Sequence, residues 1–471
     1  MWRQRVNFRL LNSLLTCSTN HFNCCRLLSG KFVHKLKERG LITSHFPDKD
    51  DVHFIISKPQ TFYAGFDPTS DSLHIGNLLV LMNLLHCARE GHRVICVIGD
   101  ASARVGDPSD KLKERPFLDK SIAVQNASNI SSDINKIFSN HYKYFWKNTE
   151  HSKQSIADPL IISNENWYDS KNLIDFLVNI GRHISVNQML TRTYIKMRIN
   201  EEKRIPLSEF FYQAIQAYDW FYLFHKYGCR FQIGGNDQQG NIFTGYELIR
   251  KLSKDKERIP CYGLLIPLLT EETGGKISKS SSSVDVVWLN RKKMSSFSFY
   301  QYFINLPDVK LETYLKLFTF YTKDEIDSIL RKHFKLPDSR HAQKKIAETV
   351  TLLVHGEEGL REAQTTTKAL FESDIISFGK LNDRTLDEIF GSDLLTTMFL
   401  EPEETSIVDV MVKATKCNEM DAVKLVEQGA VRLNVKKITS AGHLINDEDI
   451  LENRTTLMTI GKRRKYVIKW A

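Results

Sequence analysis

The sequence predicts an α/β protein whose first and largest part is a doubly wound, Rossmann-type parallel sheet. An apolar, strand-like segment at 61–66 runs through a polar turn into a helix at 77–90, which Gly91 ends. A second apolar segment at 94–98 follows at once, so that the three form a βαβ unit. The same order returns at 229–233, where another buried-strand candidate leads into a glycine turn and a helix.

A segment of different character separates the two halves of this sheet. Residues from about 117 to 205 are polar and helical in tendency, with an irregular stretch at 151–169. We interpret the segment as an insertion within a first domain that spans 31–290.

Two smaller domains are predicted after the first. Residues 291–375 carry helical periodicity with little strand signal, which indicates a separate α-helical domain. An acidic, less periodic stretch at 376–404 is interpreted as a linker. The last module, 405–471, combines a helix at 421–428 with alternating apolar and polar residues at 431–435, which predicts a small α+β domain.

The composition is that of an ordinary globular protein, with 42% of the 471 residues hydrophobic and 26% charged. The strongly apolar runs, such as 78–85, fall short of the roughly 20 residues that a membrane-spanning helix requires. The sequence therefore predicts no transmembrane segment and no membrane partner.

The first thirty residues differ from the rest of the chain. They contain four arginines, several Ser, Thr and Asn, and no Asp or Glu. This composition is typical of a mitochondrial transit peptide, whereas a secretory signal would have a continuous apolar core. We interpret 1–30 as a transit peptide, which predicts the mitochondrial matrix; a merely disordered start is the alternative.

The cysteines predict neither a metal site nor a disulfide framework. None of the eight forms a Cys-x-x-Cys pair, so no zinc cluster or redox dithiol is expected. We expect reduced and mostly buried thiols, as in a matrix enzyme rather than a secreted protein. They stand at positions 17, 24, 25, 87, 96, 229, 261 and 417.

Two short motifs, at 67–77 and 276–280, suit the binding of a nucleoside triphosphate. The first lies between a strand and a helix, so its small residues and His74 would surround a phosphate at a helix N-terminus. The second places Lys276 and Lys279 in a Gly-flanked, Ser-rich loop, where they could hold triphosphate charge while pyrophosphate leaves. Each alone is commonly an ordinary turn or a solvated loop, but together they predict an ATP site for adenylyl transfer.

The C-terminal module is basic, with twelve Lys and Arg against eight Asp and Glu. Its last stretch, 461–470, places five positive charges beside two aromatic residues. Contact with RNA phosphates would explain this pattern, and a solvated basic tail is the alternative.

Taken as whole motifs, the chain resembles the class I aminoacyl-tRNA synthetases, and specifically the bacterial-type tyrosyl-tRNA synthetases. The resemblance covers nearly the whole chain from about residue 36, with several blocks in the family's order. Together with the transit peptide it points to the family's mitochondrial branch. Besides Lys-Ile-Ser-Lys-Ser, the blocks are Tyr-Ala-Gly-Phe-Asp-Pro-Thr-Ser-Asp-Ser-Leu-His-Ile-Gly-Asn (63–77), Gly-Asp-Pro-Ser (106–109), Tyr-Gln-Ala-Ile-Gln-Ala-Tyr-Asp (212–219), Gln-Ile-Gly-Gly-Asn-Asp-Gln (232–238) and Leu-Val-His-Gly-Glu-Glu (353–358).

The resemblance implies a two-step reaction: L-tyrosine and Mg-ATP give an enzyme-bound tyrosyl-adenylate, and the tyrosyl group then passes to tRNA(Tyr). The amino-acid carboxylate is already a competent nucleophile, so positioning and charge stabilisation are needed rather than a general base. Magnesium would arrive with ATP, with no metal bound by the protein itself. The implied catalytic residues are Thr69, His74, Lys276, Lys279 and Ser280. Those implied for ATP are Gly65, Asp67, Gly76, Asn77, Gly235, Asp237 and Lys279.

The resemblance also implies a tyrosine pocket. Tyr63 and Asp219 would meet the substrate phenol, and Asp107, Tyr212 and Gln216 would hold its α-ammonium group. The last residue of the 232–238 block would lie near the carboxylate. Taken singly, the two tyrosines would more ordinarily be core residues, and the surrounding motifs favour the pocket. The full set is Tyr63, Asp107, Tyr212, Gln216, Asp219 and Gln238.

Some positions depart from the family's pattern. Asn77 replaces a common histidine, which keeps a hydrogen-bonding side chain but cannot supply a cation. Ala64 occupies a position where relatives often have cysteine, which predicts the loss of a ribose contact. Gln239 occupies a position where many relatives have a large aromatic residue or Met. Lys111 and Arg115 match basic positions that help to bind pyrophosphate in relatives, with a surface charge pair as the alternative.

The resemblance implies partners as well. The segment Ile180–Leu190 resembles the family's twofold interface, which implies a homodimer bridged by tRNA. Residues 31–290 would form the catalytic domain, 291–375 an anticodon-binding domain, and 405–471 a ribosomal-protein-like RNA-binding domain. Two alternatives stay open: a tryptophanyl enzyme, which the tyrosine set disfavours, and a non-catalytic RNA-binding or intron-splicing protein, which the intact phosphate motifs disfavour.

Overall fold

The structure is a computed structural model. The predicted transit peptide and the motif at 276–280 lie outside the residues that it describes. Those residues are 31–48, 51–109, 114–147, 156–253, 260–269, 286–371, 374–399, 404–461 and 464–471.

A six-stranded sheet organises the N-terminal half of the chain. Its strands run in the order β1-β6-β5-β2-β3-β4, and every neighbouring pair except β1 and β6 is parallel. The predicted parallel sheet is thus a mixed one, because the three-residue β1 joins its edge in antiparallel orientation. The strands are β1 (Ser44–Phe46), β2 (Thr61–Phe66), β3 (Arg93–Ile98), β4 (Leu160–Ser163), β5 (Cys229–Gly235) and β6 (Tyr262–Ile266).

Helices cover both faces of this sheet and fill the insertion. The predicted helix of the first βαβ unit is α3, which buries ten of its fifteen residues, as expected for a helix packed on a parallel sheet. The helices are α1 (Phe32–Glu38), α2 (Asp51–Ile55), α3 (Ile75–Arg89), α4 (Asp100–Val105), α5 (Lys120–His141), α6 (Glu165–Tyr168), α7 (Leu173–Asn179), α8 (Val186–Leu190), α9 (Thr193–Asn200), α10 (Leu207–Tyr227) and α11 (Gln239–Leu252).

The strand order creates a crevice between β2 and β5. From β2 the chain moves outwards through β3 to β4, and it then returns to place β5 on the other side of β2. The loops that follow β2 and β5 therefore leave the sheet in opposite directions. Ligands of doubly wound proteins bind at such a switch point, at the carboxyl ends of the strands.

The insertion contains one element that the sequence interpretation missed. Residues 160–163, within the stretch interpreted as irregular, form β4 and pair in parallel with β3. A four-residue edge strand offers too few positions for a period of two to stand out from noise. The rest of the segment carries α5 to α9, in agreement with its helical tendency.

The region after the first domain is helical, but its buried residues belong to the same hydrophobic cluster as those of α3 and α5, so a separate domain stays a prediction. Helix α15 packs against α12 and α5, and it bends at Gly356, where φ is +76°. The helices are α12 (Ser296–Ile304), α13 (Leu311–Phe318), α14 (Lys323–Lys335) and α15 (His341–Phe371).

The C-terminal part folds around a five-stranded sheet in the order β7-β11-β10-β8-β9. The prediction of a linker at 376–404 is wrong for most of its described residues, because α17 lies there and β7 pairs in parallel with β11. Strand β7, Leu-Thr-Thr-Met, is too short and too polar to be recognised alone. The elements are α16 (Ile375–Phe378), α17 (Asp383–Leu394), β7 (Leu395–Met398), α18 (Ile407–Thr415), α19 (Glu419–Glu427), β8 (Val431–Leu433), β9 (Lys436–Ile438), β10 (Thr455–Ile460) and β11 (Arg464–Trp470).

Within the described ranges, no helix is long and apolar enough to cross a membrane. The described cysteines are free thiols, of which Cys87, Cys96, Cys229 and Cys261 are buried and Cys417 is half-buried, as the sequence predicts. The same part of the chain places no three His, Cys, Asp or Glu side chains so that they could hold a metal ion.

Candidate active site

The turn between β2 and α3 is closed by a reciprocal cap. The Nδ1 atom of His74 accepts the backbone N–H of Gly76 at 3.0 Å, and the Oδ1 atom of Asn77 accepts the backbone N–H of His74 at 3.1 Å. Because Nδ1 is an acceptor, the neutral ring carries its proton on Nε2, which remains a donor. Asn77, which replaces the family's common histidine, therefore makes a structural hydrogen bond. His74 lies at the positive end of the α3 dipole.

Asp67 follows β2 directly and is held by two hydroxyls. Its carboxylate accepts hydrogen bonds from Ser102 Oγ and from the Tyr212 hydroxyl, each at 2.8 Å. Burial raises the pKa of Asp67 to about 6. Gly65 near the end of β2 and Thr69 on the turn are exposed, and the Thr69 N–H donates to the Asp67 carbonyl oxygen at 2.8 Å.

Asp219 on α10 is a buried carboxylate with three donors. It accepts from Trp167 Nε1 at 2.8 Å, from the Tyr168 hydroxyl at 2.7 Å and from Asn164 Nδ2 at 3.3 Å. Burial is the main cause that raises the pKa of Asp219 to about 7. The carboxylate is therefore fixed in place before any ligand arrives.

Tyr63 on β2 shares this buried environment. Its side chain is 1% exposed, and its hydroxyl has no hydrogen-bond partner among the described residues. Burial, and then the charge of Asp219, raise the pKa of Tyr63 well above its usual value. An unpaired buried hydroxyl near a carboxylate suits a ligand that brings a hydroxyl of its own.

Sequence reasoning missed the three donors to Asp219. Asn164 follows β4 at the carboxyl edge of the sheet, and Trp167 and Tyr168 lie on the one-turn α6. All three fall in the stretch interpreted as irregular. The short apolar run that ends before Asn164 was the only sequence signal that could have indicated them.

A second network joins the loop after α4 to the turn after β5. Asp107 accepts from Gln238 Nε2 at 2.8 Å and from Ser109 Oγ at 2.7 Å. Asn241 Nδ2 donates to Gln216 Oε1 at 3.0 Å and to Gln238 Oε1 at 3.1 Å. Three of the residues implied for tyrosine thus belong to one network, and Asn241, one helical turn after Gln238, completes it without having been predicted.

Three carboxylates lie close together in the site. The carboxylates of Asp67, Asp107 and Asp219 are close enough that Asp107 raises the pKa of Asp67, and Asp67 raises that of Asp219, both after the effect of burial. Mutual repulsion among carboxylates disfavours their ionised forms. A cation placed among them would relieve the repulsion, so the cleft suits an ammonium group.

Gly235 and Asp237 lie on the β5 side of the crevice. A Cβ atom on Gly235 would lie 2.2 Å from Asp237 Oδ1 and 3.0 Å from a Leu268 methyl, so a larger residue here would displace the Asp237 carboxylate. Asp237 and Gln239 line a cavity together with Arg192 and other residues of α9, the turn before it and the start of α11.

The chain that follows the second phosphate motif lies against the first motif. The Ile75 N–H donates to the Val287 carbonyl and the Leu289 N–H to the Leu73 carbonyl, both at 2.9 Å. The Trp288 ring lies 6.4 Å from the His74 ring, edge to face. Lys276, Lys279 and Ser280, and also Lys111, lie outside the described residues.

Arg115 is turned towards the site rather than towards a surface acidic residue. Its Nε donates to the Asp107 carbonyl oxygen, and its backbone N–H donates to Glu209 Oε1 at 2.7 Å. The alternative of a simple surface charge pair therefore does not describe its contacts.

Comparison with known proteins supports the same picture. The family model for class I tRNA synthetases (W and Y) matches residues 57–372. A mitochondrial tyrosine–tRNA ligase of Drosophila melanogaster is 38% identical over 451 residues, which cover 94% of this chain and 96% of that protein. The chain belongs to the class I tyrosyl-tRNA synthetases.

Two further tyrosyl-tRNA synthetases are similar to this chain in sequence or in fold. The mitochondrial tyrosine–tRNA ligase of Homo sapiens is 40% identical over 444 residues, with 92% of this chain and 91% of that protein covered. A C-terminally truncated mitochondrial tyrosyl-tRNA synthetase of Aspergillus nidulans has a TM-score of 0.66 at 31% identity, and the match covers 72% of this chain and 94% of that one. The family resemblance and the Rossmann-like fold predicted from the sequence are confirmed.

Proposed function

We propose that this chain is a tyrosine–tRNA ligase that uses ATP to attach L-tyrosine to tRNA(Tyr), through an enzyme-bound tyrosyl-adenylate, for mitochondrial translation. Membership of the tyrosyl-tRNA synthetases supports the reaction, and the mitochondrial relatives support the compartment. The observation that best supports tyrosine as the substrate is the buried hydroxyl of Tyr63, which has no partner among the described residues and lies near the fixed carboxylate of Asp219.

Tyrosine would be selected at the buried end of the pocket. Its phenol would donate to Asp219 and accept from Tyr63, so that both polar groups gain a partner that phenylalanine cannot supply. Leaving such groups unpaired is costly, and tyrosyl-tRNA synthetases are the usual example of the effect, with a discrimination of roughly 10⁵ against phenylalanine.

The amino-acid end of the substrate would lie among the carboxylates. Asp107, Tyr212 and Gln216 would hold the α-ammonium group, and Gln238 would lie beside the carboxylate. The hydrogen bonds from Gln238 to Asp107 and from Asn241 to Gln216 support this arrangement, since they fix the acceptors in advance. A positioned carboxylate could then attack the α-phosphorus of ATP without a general base.

ATP would lie along the crevice between β2 and β5. Thr69 and His74 would stabilise the phosphates at the N-terminus of α3, and Lys276, Lys279 and Ser280 would hold the leaving pyrophosphate. Magnesium would enter as the Mg-ATP complex, with phosphate oxygens among its ligands. The residues proposed to line the nucleotide are Gly65, Asp67, Gly76, Asn77, Gly235, Asp237 and Lys279.

We propose that the remaining parts of the chain bind RNA, form a homodimer and direct the chain to the mitochondrion. The helical domain, 291–375, would bind the anticodon region, and the basic module, 405–471, would bind RNA phosphates. A homodimer is supported by exposed apolar side chains on α7, α8 and α9, a patch of the kind that marks interfaces. They are Leu173, Ile174, Leu177, Val178, Val186, Leu190, Met197 and Ile199. Residues 1–30 would direct the chain to the mitochondrial matrix and be removed there.

Pyrophosphate exchange tests the proposal directly. Protein lacking residues 1–30 should incorporate labelled pyrophosphate into ATP with tyrosine but not with tryptophan or phenylalanine. Exchange driven by tryptophan would indicate the tryptophanyl alternative. No exchange with any of the three, together with RNA crosslinks beyond one tRNA species, would favour a non-catalytic RNA-binding role.

A further inference from the structure

A fully buried ion pair lies behind the proposed ammonium site. Arg198 on α9 is 0% exposed and Glu209 on α10 is 2% exposed, and the Arg198 Nη1 atom lies 2.7 Å from Glu209 Oε2. The other oxygen, Oε1, accepts the backbone N–H of Arg115 at 2.7 Å. Both carboxylate oxygens of Glu209 are therefore engaged, one by a charge and one by the main chain of the loop after α4.

That loop connects Glu209 to Asp107. The Nε atom of Arg115 donates to the carbonyl oxygen of Asp107. At Gly106, φ is +90°, and a Cβ atom there would lie 3.1 Å from Arg115 Cβ, so the two described ends of the loop are in close contact. The Asp107 carboxylate in turn holds Gln238 Nε2 at 2.8 Å.

Stability alone does not explain an ion pair at this place. Replacing both members of a buried pair with apolar residues of similar volume is often neutral or stabilising, whereas removing one member is costly. A carboxylate at this position can accept the Arg115 N–H, whereas an apolar side chain cannot.

We propose that Glu209, whose buried charge Arg198 balances, is a positioning residue for tyrosine activation. It fixes the main chain at Arg115 and, through Arg115, holds Asp107 where it receives the α-ammonium group. Glu209 does not touch the substrate in this assignment. The inference rests on the proposed function, because it names what holds one of the substrate-binding residues in place.

A pair of matched double variants separates positioning from packing. Both R198M/E209Q and R198M/E209L remove the two buried charges together, so neither leaves an unpaired ion. Only Gln keeps an oxygen that can accept the Arg115 N–H. Exchange kinetics should give a KM for tyrosine within about twofold of wild type for the Gln variant and raised about tenfold or more for the Leu variant, with the KM for ATP within about twofold in both, since a hydrogen bond of this kind corresponds to about tenfold in binding.

Two outcomes would overturn the proposal. Equal tyrosine KM values in the two double variants would show that the acceptor is not needed, and equal rises in the KM for tyrosine and for ATP would indicate general disruption. If the proposed function itself were wrong, the wild-type protein would show no tyrosine-dependent exchange. That result differs from both outcomes above, in which wild type is active.

Arg115→Met keeps the proposal testable if the double variants do not fold. It leaves the buried pair and the backbone N–H in place and removes the donor to the Asp107 carbonyl. The positive charge near Asp67 is lost as well, but that loss by itself favours the binding of an ammonium group. Equilibrium dialysis with labelled tyrosine, without ATP or pyrophosphate, should give an affinity at least about threefold weaker than that of wild type. Unchanged affinity would contradict the proposal.

Discussion

The two ends of the proposed substrate cleft are built in different ways. The phenol end, which consists of Tyr63, Asp219 and the three donors to Asp219, is buried and made of side chains from three distant parts of the chain. The phosphate turn, 67–77, is a local structure in which a histidine and an asparagine three residues apart cap one helix. Under the proposed function, substrate specificity depends on buried side chains and charge stabilisation on a helix N-terminus, so the two ends should respond differently to mutation.

The largest effect is expected at the phenol end. Asp219→Ala removes the proposed acceptor for the substrate phenol and leaves the donors of Trp167, Tyr168 and Asn164 unpaired. We expect kcat/KM for tyrosine in pyrophosphate exchange to fall by at least about a thousandfold, because a pocket built for a hydroxyl rejects mismatches strongly. Activity within about tenfold of wild type would remove Asp219 from the pocket.

The phosphate turn should respond in kcat rather than in tyrosine binding. His74→Asn keeps a side-chain oxygen that can cap α3 but removes the Nε2 donor. Loss of one oriented donor to a charged transition state lowers kcat by about 10²- to 10³-fold, so we expect that loss with the KM for tyrosine changed by less than about threefold. A large rise in that KM would show that the two ends of the cleft are not independent.

A pH experiment tests whether burial raises the pKa of Asp219 as the structure indicates. Its pKa of about 7 in the fold exceeds the ordinary value of 3.8, so the folded state binds the proton more tightly than the unfolded state. The resulting stabilisation is fully present below about pH 4 and is lost as pH rises through about 7. Relative to wild type, Asp219→Asn should therefore gain free energy of unfolding between about pH 4 and pH 8, by up to about 4 kcal/mol at 1.36 kcal/mol per pKa unit.

Denaturant unfolding of both proteins at the two pH values measures this gain. Asp67, whose pKa is also raised by burial, is present in both proteins and largely cancels in the difference. A difference between wild type and Asp219→Asn that does not change with pH would contradict the assignment.

Tyr63→Phe should separate binding from folding at the phenol end. The hydroxyl has no partner among the described residues, so its removal should leave the free energy of unfolding unchanged or slightly raised. Its loss should lower the preference for tyrosine over phenylalanine by about tenfold, which competition in pyrophosphate exchange would measure. Destabilisation by more than about 1 kcal/mol would mean that the hydroxyl has a structural role instead.

The same contrast explains what the sequence could predict. The phosphate turn is encoded within eleven residues, so its strand, turn and helix follow from local pattern, and family motifs indicate Tyr63, Tyr212 and Asp219. The partners of Asp219 come from residues 51 to 55 positions away in the chain. No local pattern encodes such a contact, and the strand that carries Asn164 to the site is too short to recognise.

The C-terminal part shows the same limit for the fold. Helix α19 and the alternating strand at 431–433 have local signals and were predicted. Strand β7 acquires its conformation from pairing with β11, about 70 residues later. Its tertiary partner, rather than its composition, makes this stretch part of a sheet instead of a linker.

The smallest effect is expected from Asn77, whose identity departs from the family's usual histidine. Asn77→Ala removes the acceptor of the His74 N–H, and loss of a helix cap costs about 1 kcal/mol, which thermal unfolding can measure. Asn77→Asp is the matched control, since it keeps the oxygen and should keep the stability. A carboxylate there should repel triphosphate and raise the KM for ATP, which neutral alanine should not do. If alanine raised that KM as much as aspartate, Asn77 would contact the nucleotide directly and not only cap the helix.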